Sequence, residues 1–191
     1  MADVDTANAQ RYKVEDGEIF YKVPFTCGKI KMDIVVSEYL LQKKTGGYLL
    51  TGYLKSEYTG GQDSHLYTYF MCTNMEITGD EPSPGPIYIS GKIAKSKGFR
   101  TLNNGKQILP IVIRHRARDG HTSILHAVLC DKEARYAASL PTLEGSHVDI
   151  GGTLQTRYNA VELRVTEMSL YGKEGEVIWA TNGEVSPPPA N

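Results

Sequence analysis

No apolar run in this chain approaches the roughly 18 residues that a membrane-spanning helix needs. The first residues, Met1-Ala-Asp-Val-Asp, are polar and acidic and do not read as a secretory signal. Cysteine is scarce. Cys27, Cys72 and Cys130 are far apart, odd in number and without a C-x-x-C pair, which argues against a disulfide framework or a zinc knuckle. Three reduced, buried, inert thiols in a cytoplasmic protein are the expectation. P-loop, G-x-S-x-G and H-E-x-x-H patterns are all absent. His115, His121 and His126 straddle a hairpin without a nearby cysteine or paired carboxylate, so no metal or other cofactor is expected. His126 and Cys130 fall on one face of a strand, but no third group completes a nucleophile pair. The expectation is a binding protein, not an enzyme.

The most informative absence is local. From Gly91 to Arg118 there is no Asp or Glu, while eight cations occur: Lys92, Lys95, Lys97, Arg100, Lys106, Arg114, Arg116 and Arg118. The whole chain carries a formal net charge of -1. Residues 1–90 hold 8 basic and 12 acidic side chains, and residues 91–191 hold 13 and 10. Such a split places a polyanion-binding face on the C-terminal half. Arg114, Arg116 and Arg118 alternate along a strand, so they share one face about 7 Å apart, near the spacing of successive phosphates. His115, among these arginines, reads as a phosphate or base contact. A basic edge that blocks aggregation is the competing explanation.

What the chain does have is β-forming sequence. Nineteen glycines and twelve tyrosines suit pleated strands joined by tight turns. Residues 1–17 read as a flexible arm. Residues 18–84 read as a β-rich unit, an antiparallel meander with turns at Thr45-Gly-Gly and Thr59-Gly-Gly-Gln-Asp. A strand opening at Ile19 is expected to end near Pro24. Tyr48, Tyr53, Tyr58, Tyr67, Tyr69 and Phe70 crowd two of its strands. They form either a core or dimer face or a base-stacking surface. Glu81-Pro-Ser-Pro-Gly-Pro marks the boundary.

Residues 85–181 give three strands, a helix and two strands. Asn103-Asn-Gly-Lys and Asp119-Gly-His are hairpin turns. Pro110 implies an edge or a bulge in the second strand. Asp131 is expected to cap the helix and Pro141 to end it. Val161, Leu163 and Val165 share one phase, then Met168 and Leu170 take the other, which predicts a bulge near Thr166 and Glu167. The order is that of the OB fold, a five-stranded Greek-key barrel. The fold class is therefore all-β, with the N-terminal unit as a second, degenerate OB barrel in one reading. Residues 182–191, ending Ser-Pro-Pro-Pro-Ala-Asn, are expected to be disordered.

At this point a family comes into view. Ile87-Tyr-Ile-Ser-Gly-Lys-Ile followed by Phe99-Arg-Thr-Leu-Asn-Asn-Gly-Lys resembles the opening strand and turn of the bacterial single-stranded-DNA-binding proteins. Ala127-Val-Leu-Cys-Asp-Lys-Glu-Ala resembles their strand-to-helix segment, and Val148-Asp-Ile-Gly-Gly-Thr-Leu-Gln-Thr-Arg157 their fourth strand. Leu163 to Met168 resembles their last strand, so the likeness covers about residues 86–171. It implies binding of single-stranded DNA in replication, recombination or repair. Lys92, Lys95, Lys97, Arg100, Lys106, Arg114, Arg116, Arg118 and Arg157 would follow the backbone. Tyr158, Phe99 and Tyr88 would stack bases. The partners implied are single-stranded DNA, further copies of the chain, and replication or recombination proteins. The chain departs from the family pattern in carrying Ile124 and Cys130 at aromatic positions of the third strand, and a Pro-rich tail with the single late acid Glu184. The alternative is an OB-fold protein-interaction module that has lost most base stacking.

Overall fold

The computed structural model describes residues 2–4, 6–41, 46–59, 65–77, 85–117, 120–157, 160–172 and 174–181. The Glu81 to Pro84 part of the boundary and the 182–191 tail lie outside the described residues, as do Arg118 and Tyr158. The chain packs as two compact units. One comprises residues 1–85 with 117–123 and 155–161; the other comprises 86–116, 124–154 and 162–191.

In the first unit the strands are β1 (Ala2–Val4), β2 (Gln10–Glu15), β3 (Glu18–Cys27), β4 (Ile30–Ser37), β5 (Gly46–Tyr58) and β6 (Leu66–Ile77). Residues 2–4 and 10–15 are thus strand, not the loose arm that their polarity suggests. A 3-10 turn, Thr6–Asn8, separates β1 from β2. β1 pairs with both β3 and β5, β2 pairs with β3, and β4 runs parallel to β6. The sheet therefore closes on itself in the strand order of an OB barrel, with β1 and β2 as two halves of its first strand. β3 runs on through Pro24 to Cys27, past the expected end. Pro24 faces Asp33 of β4 on one side. On its other side it falls between the stretch paired with β2 and the stretch paired with β1, where a missing N–H breaks no bond.

In the second unit the strands are β7 (Ile87–Ser96), β8 (Arg100–Thr101), β9 (Gln107–Arg116), β10 (Thr122–Cys130), β11 (His147–Arg157), β12 (Ala160–Tyr171) and β13 (Val177–Ala180). Helix α1 (Asp131–Ser139) lies between β10 and β11. β7 pairs with β9 and β11, β9 with β10, β11 with β12, and β10 runs parallel to β12. That is a closed five-stranded OB barrel. Its inward side chains alternate with outward ones, as period-2 geometry requires. Ile93, Ile113, Leu125, Leu129, Val148, Leu163 and Leu170 are all but fully buried.

Several local expectations resolve here. Pro110 lies between the β9 residues paired with β8 and those paired with β7, and its carbonyl accepts the Lys97 N–H at 2.9 Å. Leu163 and Val165 are buried, Thr166 and Glu167 are not, and Met168 and Leu170 are buried again. The switch of phase is therefore present in β12. Asp131 is the first helical residue, not the cap; the cap position is Cys130, and the Asp131 carboxylate instead accepts the Gln107 N–H at 3.2 Å. The helix ends at Ser139, with Leu140 as its C-cap, ahead of Pro141. Past β13, Thr181 holds the end of this unit. Its hydroxyl accepts the Met168 N–H at 2.8 Å and donates to buried Glu133 of α1 at 3.2 Å. Trp179 stacks on Tyr136 of the same helix, ring centroids 5.1 Å apart.

Candidate nucleic-acid interface

Strand alternation sets the cationic wall. Arg114 and Arg116 point outward from β9 and are exposed, and the intervening His115 points inward. The pairing of β7 with β9 sets Lys92 directly opposite Arg114 and Gly91 opposite His115. Directly opposed side chains on neighbouring strands have Cβ atoms about 5 Å apart, and like charges there destabilise the sheet. Neither Lys92 nor Arg114 has a carboxylate partner among the described residues, and the same holds for Lys95 and Arg100. A one-residue register shift between Ile93 and Lys95 lets Lys95 also point outward. Lys97 and Phe99 lie exposed on the connection from β7 to β8, Phe99 at 41 %. Arg100 sits on β8, paired opposite Ile108. Lys106 is half-buried at the hairpin turn, its N–H bonded to Asn104 Oδ1 at 3.1 Å. Arg157 is exposed at the end of β11, in a segment that packs with the first unit.

His115 is the clearest correction to the sequence reading. It is 8 % exposed, so it touches neither phosphate nor base. Burial pushes its pKa down, and its Nε2 has no hydrogen-bond partner. His126 is half-buried, and its pKa is also lowered, first by burial and then by nearby Lys97, against the opposing pull of Glu162. Among the described residues no group of three potential metal ligands is found. Cys27 and Cys72 are buried, but Cys130 is only half-buried at the junction of β10 and α1, so one of the three thiols departs from the expectation.

The tyrosines of the first unit are largely used within it. Tyr48 and Tyr69 are buried, Tyr53, Tyr67 and Phe70 are half-buried, and Tyr58 is exposed at 64 %. Tyr48 belongs to a core with Val23, Ile34 and Val36. Tyr69 packs with Val35 and Met71 in a second cluster that Tyr12, Phe20, Tyr53 and Tyr67 border. The Tyr67 hydroxyl donates to Asp33 at 2.6 Å, and Lys22 Nζ sits 4.1 Å from the Tyr67 ring centroid. Rings so engaged cannot accept stacked bases without dismantling the cluster.

The sequence reading missed a groove of about 800 Å³ in the second unit. It runs between β7, β11 and the β12–β13 edge. Tyr88, Ser90, Asp149, Glu167 and Thr181 line it, with Gly151 at its floor. Ser90 Oγ lies 3.0 Å from His147 Nε2, and that nitrogen lies 3.7 Å from Asp149 Oδ1. Serine and acid meet the same ring nitrogen, so the trio lacks the relay geometry of a hydrolase triad. Burial acts to raise the Asp149 pKa, but hydrogen bonds from Tyr171 and Ser90 and the nearby His147 ring outweigh it and hold the pKa low. The Tyr171 hydroxyl donates to Asp149 at 2.6 Å. The only sequence signal for this cluster is the register of residues nearly sixty positions apart.

A protein built of two closed OB barrels, one with an exposed cationic wall, is the class these observations define. In overall fold the chain resembles the bacterial single-stranded-DNA-binding proteins. The wild-type single-stranded DNA binding protein from Thermus aquaticus matches with a TM-score of 0.66 at 11% identity, covering 100% of this chain and 94% of that one. A deletion variant of the same protein matches with a TM-score of 0.69 at 10% identity, covering 100% and 95%. The small single-stranded DNA-binding protein from Streptomyces coelicolor is 22% identical over 45% of this chain and 91% of its own, with a TM-score of 0.40, too low to argue from. No family model and no curated protein matches the chain. The likeness is one of fold.

Proposed function

We propose that this chain binds single-stranded DNA during replication, recombination or repair, by phosphate contacts with limited base stacking and as a homo-oligomer. The observation that carries this is the Lys92–Arg114 pair, two exposed like charges set opposite each other without a carboxylate between them. A sheet holds such a pair at a cost unless an anion lies over both. Lys95, Lys97 and Arg100 extend the same positive surface, and Phe99 and Tyr88 are exposed rings near it. The solved structures that match over the whole chain are of a single-stranded DNA binding protein. Sites on Arg116, Arg118, Arg157 and Tyr158 belong to the same proposal.

A salt titration of binding to a fluorescent oligonucleotide tests it. Each phosphate neutralised on a single strand contributes roughly -0.7 to the slope of log affinity against log salt. Four unpaired cations predict a slope of about -3. An affinity indifferent to salt, or no binding at low salt, would sink the proposal. A protein-interaction module is the second reading. It is favoured by Ile124 and Cys130, which occupy half-buried outward positions of β10 where stacking rings would be needed.

A further inference from the structure

We propose that the groove beside Tyr88 is a base-reading subsite, one that takes bases carrying an exocyclic amino group in preference to thymine. The inference rests on the single-stranded-DNA reading and adds base selectivity to it.

The Tyr88 ring is 69 % exposed, yet it is not loose. Glu167 lies beside it over Gly151 and raises the tyrosine pKa. The ring crosses Gly151, the residue paired with it on β11. A Cβ at Gly151 would come within 2.8 Å of Tyr88 Cε1 and 2.4 Å of Glu167 Oε1. The glycine therefore leaves room for both groups to lie flat across the sheet. An exposed ring lying close over a glycine is a preorganised stacking platform, since little rotamer entropy remains to be lost on binding.

The groove's polar groups then decide what edge a stacked base can present. Asp149 and Glu167 are acceptors only when ionised. The Tyr171 hydroxyl is turned onto Asp149, and Ser90 Oγ is engaged with His147 Nε2. A base offering an amino group, such as cytosine at N4, meets these carboxylates as a donor. Thymine has no amino group; its one N3–H donor is flanked by two carbonyl oxygens that the carboxylates repel, so it is held less well. Phosphates are repelled from this end too, and are drawn along β7 to Lys92 and Arg114. Tyr88 and Lys92 are four residues apart on one strand face, about 13 Å, within the reach of two nucleotides.

The test measures dissociation constants for fluorescent oligo-dC and oligo-dT at one fixed salt concentration. It uses the full chain and its Glu167→Gln and Tyr88→Ala variants. Glu167→Gln removes the charge and adds a donor. The proposal expects the dC-over-dT affinity ratio to fall at least fivefold in Glu167→Gln, mostly through weaker dC binding. It expects Tyr88→Ala to weaken both oligonucleotides. If Tyr88→Ala fails to fold, the Glu167→Gln ratio carries the test alone. An unchanged ratio in Glu167→Gln, with the parent still binding in a salt-dependent way, overturns the base-reading subsite and leaves the DNA-binding proposal standing. No binding by the parent overturns both. A change of oligomeric state in Glu167→Gln by light scattering would show the face to be covered by a second copy, and would overturn the subsite.

Discussion

At the scale of single residues, burial governs the chemistry. His115 is neutral in the fold because charging it inside the barrel is costly, and its pKa lies below the ordinary 6.5. The unfolded chain takes up that proton more readily, so stability rises with pH across this window. Its contribution is intact above about pH 6.5 and is lost as pH falls from there through the lowered folded-state pKa. Denaturant melts at pH 8 and pH 5 should show the acid loss, and His115→Leu should reduce it. Equal pH sensitivity in the variant would assign the loss to other groups. The cysteines separate on the same principle. Burial pushes the Cys72 thiol up to about 11. A thiol reacts as thiolate, so alkylation of the native protein should modify half-buried Cys130 well before Cys72. Peptide mapping after brief iodoacetamide treatment reads the order directly.

Among the elements, what could be foreseen depended on how local its cause was. The second barrel follows from strand alternation, from the Asn103-Asn-Gly turn and from the short helix. Each of these acts over a few residues. The same alternation sends Arg114 and Arg116 outward, so the cationic wall could be read. It also sends His115 inward, and a role read from its charged neighbours misses that. The first barrel was harder because its first strand is broken at Thr6–Asn8 and β1 is three residues long, held by β3 and β5 rather than by its own propensity. The tyrosines of β5 and β6 looked the same in sequence whether buried or exposed. The Tyr88 groove depends on the β7–β11 register, which no local pattern sets. Elements held by close approach should be the least forgiving. A Cβ at Gly152 would lie 2.1 Å from the Arg164 carbonyl oxygen, so Gly152→Ala must part β11 from β12. It should cost about 1–3 kcal/mol by denaturant titration. Leu163→Ala, which empties a fully buried site on β12, should cost about 2–5 kcal/mol.

For the whole molecule, formal charge misleads. A net of -1 predicts indifference to polyanions, yet the cations from Lys92 to Arg116 follow one another in sequence with no Asp or Glu between them. Arg114→Glu should weaken binding to every oligonucleotide sequence by a similar factor, about tenfold, and make the salt slope shallower by about 1. Parallel titrations on dT, dC and mixed sequences check it, and an effect confined to one sequence would make Arg114 a base reader instead.

The opposed Lys92 and Arg114 also bear on the protein before it meets any ligand. Their mutual repulsion is an internal strain that dissolved ions relieve. Raising ionic strength should therefore lift the melting temperature of the unliganded protein while loosening its grip on a nucleic acid, two opposite responses traced to one facing pair of side chains.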